Sequence, residues 1–238
     1  MLEREIQERF VNLITAKVDI PNESTNPIRF YKELVHYRFD EVIRNAMPDF
    51  AEVLGSERLD ALIFDFIQTK PQTPFIWKLP ELFREYLLNF RKVEDISYAA
   101  DLMWFESVEV ELLMGQYNKP VKDVFNWDKN FSLSSSMRMK VLKHTVNQGV
   151  FEETEEHPLI MYYHFKEYAV FFQEITSFMF RFLSYLEEVS PLEALKSICK
   201  DFHIEEEAEA KELLEGILEE FVELNIMIRV PSDNKKFI

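Results

Sequence analysis

Residues 187–223 read EEVSPLEALKSICKDFHIEEEAEAKELLEGILEEFVE, and the fold of the second half of the chain turns on them. Ser190-Pro191 supplies an N-cap and an N1 proline, which start a helix running to about Asp201. After a tight turn, a second helix spans about Glu205 to Leu224, with Ala208, Leu213, Ile217, Phe221 and Val222 as its apolar side. A DNA-reading element of this helix-turn-helix shape presses one helix into a groove walled by phosphates, so its contact face needs Lys and Arg. Here thirteen acids stand against three bases, Lys196, Lys200 and Lys211, a net charge of −10. Phosphate would be repelled.

Upstream of this helix pair, Thr176 caps a further helix to about Glu188. Before it lie two β-rich runs, Leu159 to Phe165 and Tyr168 to Ile175, divided by Lys166-Glu167 and read as a hairpin. Met137 to Lys143 alternates as a strand with a partly basic face, and Ile226 to Val230 reads as a short return strand. Residues 136–238 are therefore expected to form a small α+β domain of winged-helix-like pattern, a β-hairpin or three-stranded sheet plus three helices. Residues 116–135 contain Asn118, Pro120, Asn126, Asp128, Asn130 and the run Ser132 to Ser136 without clear periodicity. They read as an ordered linker and domain boundary.

The first half reads as a helical bundle over residues 1–115, so the whole is mainly α in two domains. Residues 1–16 place Ile6, Phe10, Leu13 and Ile14 on one face. Asn26-Pro27 caps a helix to about Ala46, and Pro48 begins a short one. Gly55-Ser56 breaks and restarts the chain, burying Leu59, Leu62, Ile63 and Phe66 before Pro71 and Pro74 impose a loop. Helices follow at about 80–92 and 95–114, the last ended by Gly115.

Composition narrows the function classes. A chain of 238 residues with 47% hydrophobic and 14% aromatic content fills the core of one large or two small domains. The net charge of −16 divides evenly, −8 in residues 1–115 and −8 in 116–238, so no basic half exists to serve nucleic acid or an anionic membrane. Long-range electrostatics favour cationic partners, or simply solubility. Cys199, the single cysteine, lies on an apolar stripe and reads as an inert core thiol. The start Met1-Leu2-Glu3-Arg4-Glu5 lacks a signal-peptide pattern, and no apolar run approaches the roughly 20 residues of a membrane span. A cytoplasmic location is expected.

Catalytic signatures are scarce. Four glycines cannot build a phosphate-cradling loop. The histidines His36, His144, His157, His164 and His203 show no ligand spacing on one helical face; His157 and His164 are the pair placed to meet across a strand, and surface or hairpin-packing histidines are a commoner outcome there than a metal site. Asp101 and Glu106, five residues apart, do not share a helical face, and a capping or ion-pairing role with Arg38 or Arg44 is expected of them. No Ser or Cys nucleophile has a His partner in sequence. The expectation is a non-enzymatic protein without cofactor or metal.

Aromatics are dense from Tyr162 to Phe182 (Tyr162, Tyr163, Phe165, Tyr168, Phe171, Phe172, Phe178, Phe180, Phe182), but only Lys166 and Arg181 accompany them. Base stacking in an RNA-binding sheet needs more basic company, so core packing is expected. A sheet edge that accepts an added peptide strand asks only for backbone groups and pockets. The candidate peptide- or partner-binding residues are Arg138, Lys140 and Lys143 on the strand, with Tyr162 and His164 on the hairpin.

The first half also carries Tyr31-Lys32, Pro48, Val53-Leu54-Gly55, Leu82-Phe83, Tyr86-Leu87 and Ile96 to Leu102 with Asp101, leading to Glu106. On these residues, roughly 5–115 of the chain resembles the HvfC/BufC N-terminal domain family, earlier labelled a putative DNA-binding domain. Tyr31 lies seventeen residues before Pro48 and Gly55 seven after it, as in the family pattern. Lys32 replaces the pattern's arginine, Met47 its phenylalanine and Ser107 its tryptophan. The second half is similar to the usual C-terminal partner domain of such proteins and to winged-helix elements that bind leader peptides by strand addition.

The resemblance implies an accessory protein that partners a multinuclear iron-dependent oxygenase, with the iron on the oxygenase, and presents a ribosomally made precursor peptide for modification. The alternative is a DNA-binding transcriptional regulator that uses its helix-turn-helix-like half despite the acidity.

Overall fold

The computed structural model describes residues 2–15, 27–151 and 154–230. The chain divides into two compact units, Met1–Glu111 and Leu112–Ile238, and is mainly α with an α+β part.

The first unit contains α1 (Leu2–Thr15), α2 (Pro27–Ala46), α3 (Pro48–Leu54), α4 (Ser56–Gln68), α5 (Leu79–Asn89) and all but the last turn of α6 (Ala99–Met114). α2 packs against α3, α4 and α5, and the periodic stripe of α4 is buried: Leu59, Leu62, Ile63 and Phe66. Phe66 is the centre of an aromatic cluster, with ring centroids 5.3 Å from Phe83, 5.4 Å from Tyr86 and 6.0 Å from Phe39. Such pairs add roughly 0.5–1.5 kcal/mol beyond their area burial.

On α1, Ile6 is 61% and Leu13 45% exposed; the side chains of Phe10 and Ile14, and the capping residue Asn26, lie outside the described residues. One expectation for this unit is corrected. The helix expected from residue 95 begins at Ala99 because residues 90–98 form turns.

The turn after α5 recurs elsewhere. Arg91 takes a left-handed φ of 55°, while Lys92 N–H bonds back to Leu87 O and Arg91 N–H to Leu88 O. The same closure uses His203 (φ 55°) after Asp201 and Asn225 (φ 60°) after Glu223, with Ile204 bonding Cys199 O and Ile226 bonding Phe221 O at 2.8 Å each. Glycine usually takes this position because it has no Cβ to clash. In a chain with four glycines, non-glycine residues occupy it instead.

The second unit orders as β1 (Phe131–Leu133), β2 (Met137–His144), β3 (Thr154–His164), β4 (Ala169–Glu174), α7 (Ser177–Tyr185), α8 (Pro191–Asp201), α9 (Glu207–Glu223) and β5 (Met227–Arg229). β2, β3 and β4 form an antiparallel sheet in that order, and β1 pairs with β5 separately. Thr176 Oγ1 accepts the Met179 N–H and starts α7, which ends at Tyr185 rather than Glu188. Ser190 and Glu193 form a reciprocal capping box on α8.

Residues 116–135 are not simply a linker. Phe125, Trp127 and Phe131 are buried in the same core as Ile160, Phe182, Leu218 and Phe221. Their irregular spacing hides them from a periodicity search. The buried line of α9 is also shifted, to Ala210, Leu214, Leu218, Phe221 and Val222, leaving Ala208 exposed, Leu213 76% exposed and Ile217 41% exposed. Leu213-Leu214 and Ile217-Leu218 are adjacent pairs, so two apolar lines fit the helical period equally well and packing selects one.

Candidate functional site

β2 stands at an edge of its sheet, pairing only with β3 among the described strands. The direction of its backbone groups follows from register. Tyr163 N–H donates to Ser136 O at 2.9 Å, which makes that opposed pair a hydrogen-bonded one. Antiparallel pairs alternate, so Arg138, Lys140 and Leu142 aim their backbone groups at β3, whereas Met137, Met139 and Val141 aim theirs outward. Met137 is accounted for locally: its N–H bonds Ser134 O, and its carbonyl accepts the Arg138 guanidinium at 2.7 Å. Met139 and Val141 are left with outward N–H and C=O groups that have no protein partner among the described residues.

Beside this edge opens a pocket of ≈ 490 Å³ lined by Val141, Pro158, Phe180, Arg181, Asp201 and Phe202. Its apolar wall is built from four elements: Val141 and Pro158 face each other across β2 and β3, Phe180 comes from α7, and Phe202 ends α8, stacked edge-on against Phe178 at 5.4 Å. Val141 and Phe202 are 36% and 45% exposed. One end is polar. Asp201 accepts from the Tyr185 hydroxyl at 2.8 Å and pairs with Arg181 at 3.5 Å, and these contacts hold its carboxyl below the usual carboxylate range, the Tyr185 bond first among them. An outward-facing edge beside a side-chain pocket is the geometry that a bound extended peptide requires.

The five binding residues expected from sequence do not converge. Arg138 and Lys140 lie on one face of the sheet, Tyr162 and His164 on the other, and Lys143 is exposed where a β-bulge shifts the register. Arg138 is tied to the backbone through Ser135 O and Met137 O. Tyr162 is buried, stacked on Phe171 at 6.2 Å, and burial raises its hydroxyl above the ordinary value. His164 packs 5.0 Å from Phe171 and accepts the Glu167 N–H. The residues that sequence reasoning missed are Met139, Val141, Pro158 and Phe202, whose roles depend on pairing register.

In the first unit, three of the resemblance residues meet at α3. Pro48 is its N1 residue, and Gly55, at φ 72°, closes it and opens α4. Glu106 of α6 accepts the backbone N–H groups of Asp49 at 2.8 Å and Phe50 at 3.1 Å, capping from a distance a helix whose own N-cap, Met47, has no side-chain oxygen. Burial pushes the Glu106 carboxyl up to about 7, against the pull of the two amides. The capping role expected for Glu106 is thus present, but its partners are backbone amides. Arg44 pairs instead with Asp40 and Asp60, and Arg38 with Glu41.

Asp101 is buried in the first turn of α6, Tyr31 is 47% exposed on α2 beside half-buried Lys32, and Met47 is wholly buried. Ser107, in the tryptophan's place, accepts from Arg84 at 2.6 Å.

His157 and His164 both lie on β3, seven residues apart and on opposite faces, and the His157 Nε2 meets Asn147 Oδ1 at 2.9 Å. No group of three or more metal-ligating side chains occurs among the described residues. Cys199 is buried and burial raises its thiol. A larger hollow of ≈ 570 Å³ near β5 contains Asp123 and Arg229, which face each other at 3.7 Å and neutralise one another. No helix among the described residues is long and apolar enough to cross a membrane. No protein-family model matches the chain, and no curated protein matches it.

Proposed function

We propose that this protein is a non-enzymatic accessory protein whose second, winged-helix-like unit captures an extended peptide as an added strand on β2. The observation that carries the reading is the outward-facing backbone of Met139 and Val141 beside the pocket of Val141, Pro158, Phe180 and Phe202. The backbone groups give affinity for any extended chain, and the pocket selects an apolar side chain at one position.

The resemblance of residues 5–115 to the HvfC/BufC N-terminal domain supplies the context. The peptide is a ribosomally made precursor and the partner an iron-dependent oxygenase that modifies it. The iron belongs to the oxygenase. DNA is disfavoured as a ligand by the acidity of α8 and α9.

The test is capture from nuclease-treated and untreated lysate of the native host, with wild-type protein and a Val141→Pro variant in parallel. Recovery of a small peptide and an oxygenase by the wild type alone, insensitive to nuclease, supports the reading. Equal recovery by both proteins contradicts the β2 site, and recovery that vanishes with nuclease contradicts the adaptor role.

A further inference from the structure

α9 buries one side and leaves a second apolar strip in solvent. Placed at 100° per residue, the buried line Ala210, Leu214, Leu218 and Phe221 occupies one arc, and Leu213, Gly216 and Ile217 fall beside it on the outer arc. Leu213 is 76% and Ile217 41% exposed.

Gly216 is the informative member. Glycine in a helix interior is less favourable than alanine by roughly 0.8–1 kcal/mol. Where it is kept for packing, a neighbour occupies the space of the missing Cβ. Here a Cβ at Gly216 would meet nothing within 4 Å, and the residue has no positive φ to justify it. Among the described residues nothing gives a reason for a glycine there. A second backbone approaching from outside does, because a missing side chain lets two helices come close.

Charge identifies what approaches. Glu209, Glu212, Glu220 and Glu223 surround the strip, and none of them makes an ion pair among the described residues. The segment 187–223 carries a net charge of −10, which disfavours a second copy of the same face, an anionic membrane and nucleic acid.

We infer that Leu213, Gly216 and Ile217 form a docking strip for a basic amphipathic helix of a partner protein. Its small or apolar residues seat against Gly216, and its Lys and Arg residues reach the flanking glutamates. The strip is separate from β2 and does not depend on the peptide reading.

The probe is a synthetic 18-residue helical peptide of Leu, Ala and Lys with one apolar face. Controls are a scrambled peptide of the same composition and a version with Glu for Lys. Fluorescence anisotropy with the full chain should show binding of the amphipathic basic peptide only, weakening as salt rises. Gly216→Leu and Leu213→Glu should each reduce affinity at least tenfold. Gly216→Ala should reduce it several-fold while raising the thermal unfolding midpoint, because the new methyl group harms only the external contact. Equal binding of the scrambled peptide, or unchanged affinity in the Gly216 variants with the fold intact, overturns the assignment. Self-association that Gly216→Leu abolishes in sedimentation would overturn it in favour of a second copy.

Discussion

Val141 on β2 stands directly opposite Pro158 on β3. Proline lacks an N–H, so a position opposite it suits a pair that exchanges no hydrogen bonds, and the alternation traced from Tyr163 and Ser136 agrees. The Val141 N–H therefore points out of the sheet. That one pairing makes β2 an edge able to receive a strand and puts the Val141 side chain into the wall of the adjoining pocket.

Val141→Pro removes an N–H that the sheet does not use, and edge strands tolerate proline at outward positions. The variant should keep its circular dichroism spectrum and lose peptide capture. Arg138→Pro, which would delete an inward N–H, should instead destabilise the sheet measurably in urea.

Phe202 is nearly half exposed and its ring closes the pocket against Phe178. Phe202→Ala should weaken capture of the peptide by about 1–2 kcal/mol, the scale of an interface anchor. Calorimetric titration checks this. Unfolding should shift by no more than about 1 kcal/mol, as expected for a partly exposed side chain.

Glu106→Ala leaves the Asp49 and Phe50 amides without an acceptor and should cost about 1–3 kcal/mol in denaturant unfolding. The pH dependence has a definite sign. The carboxyl of Glu106 is raised from 4.5 to about 7 in the fold, so the folded chain holds a proton that the unfolded chain has released. Its contribution to stability is fully present below pH 4.5 and is lost as pH rises through about 7. Glu106→Gln should flatten that part of the stability profile.

His203 is exposed and holds a left-handed φ of 55° at the end of α8. Glycine meets that conformation without a Cβ clash, so His203→Gly should stabilise the chain by about 1 kcal/mol. Asn225→Gly should gain less, because Asn225 also donates its side-chain amide to Ser134 at 3.2 Å and Ser136 at 3.4 Å. Thermal unfolding of the two variants compares them directly.

Elements that announce themselves locally were legible in the sequence. The caps Thr176 and Ser190, the N1 prolines Pro48 and Pro191, and the buried stripe of α4 each depend on residues within a turn of one another. Features set by distant partners were hidden. Glu106 reaches back to Asp49 and Phe50, Trp127 joins Phe182 across 55 positions of chain at 6.3 Å, and β2 opens its edge only in one register with β3. The basic residues Arg138, Lys140 and Lys143 drew attention by charge. The candidate edge beside them is made of backbone, which sequence composition does not display.

Residue-resolved amide hydrogen exchange of β2, without and with a captured peptide, tests the central claim most directly. In the free protein the Met139 and Val141 amides should exchange rapidly while those of Arg138 and Lys140 are protected by β3, and a bound peptide should protect Met139 and Val141 as well. Peptide bound with the Met139 and Val141 amides still exchanging freely, or the same two amides already protected in the free protein, would contradict strand addition at β2.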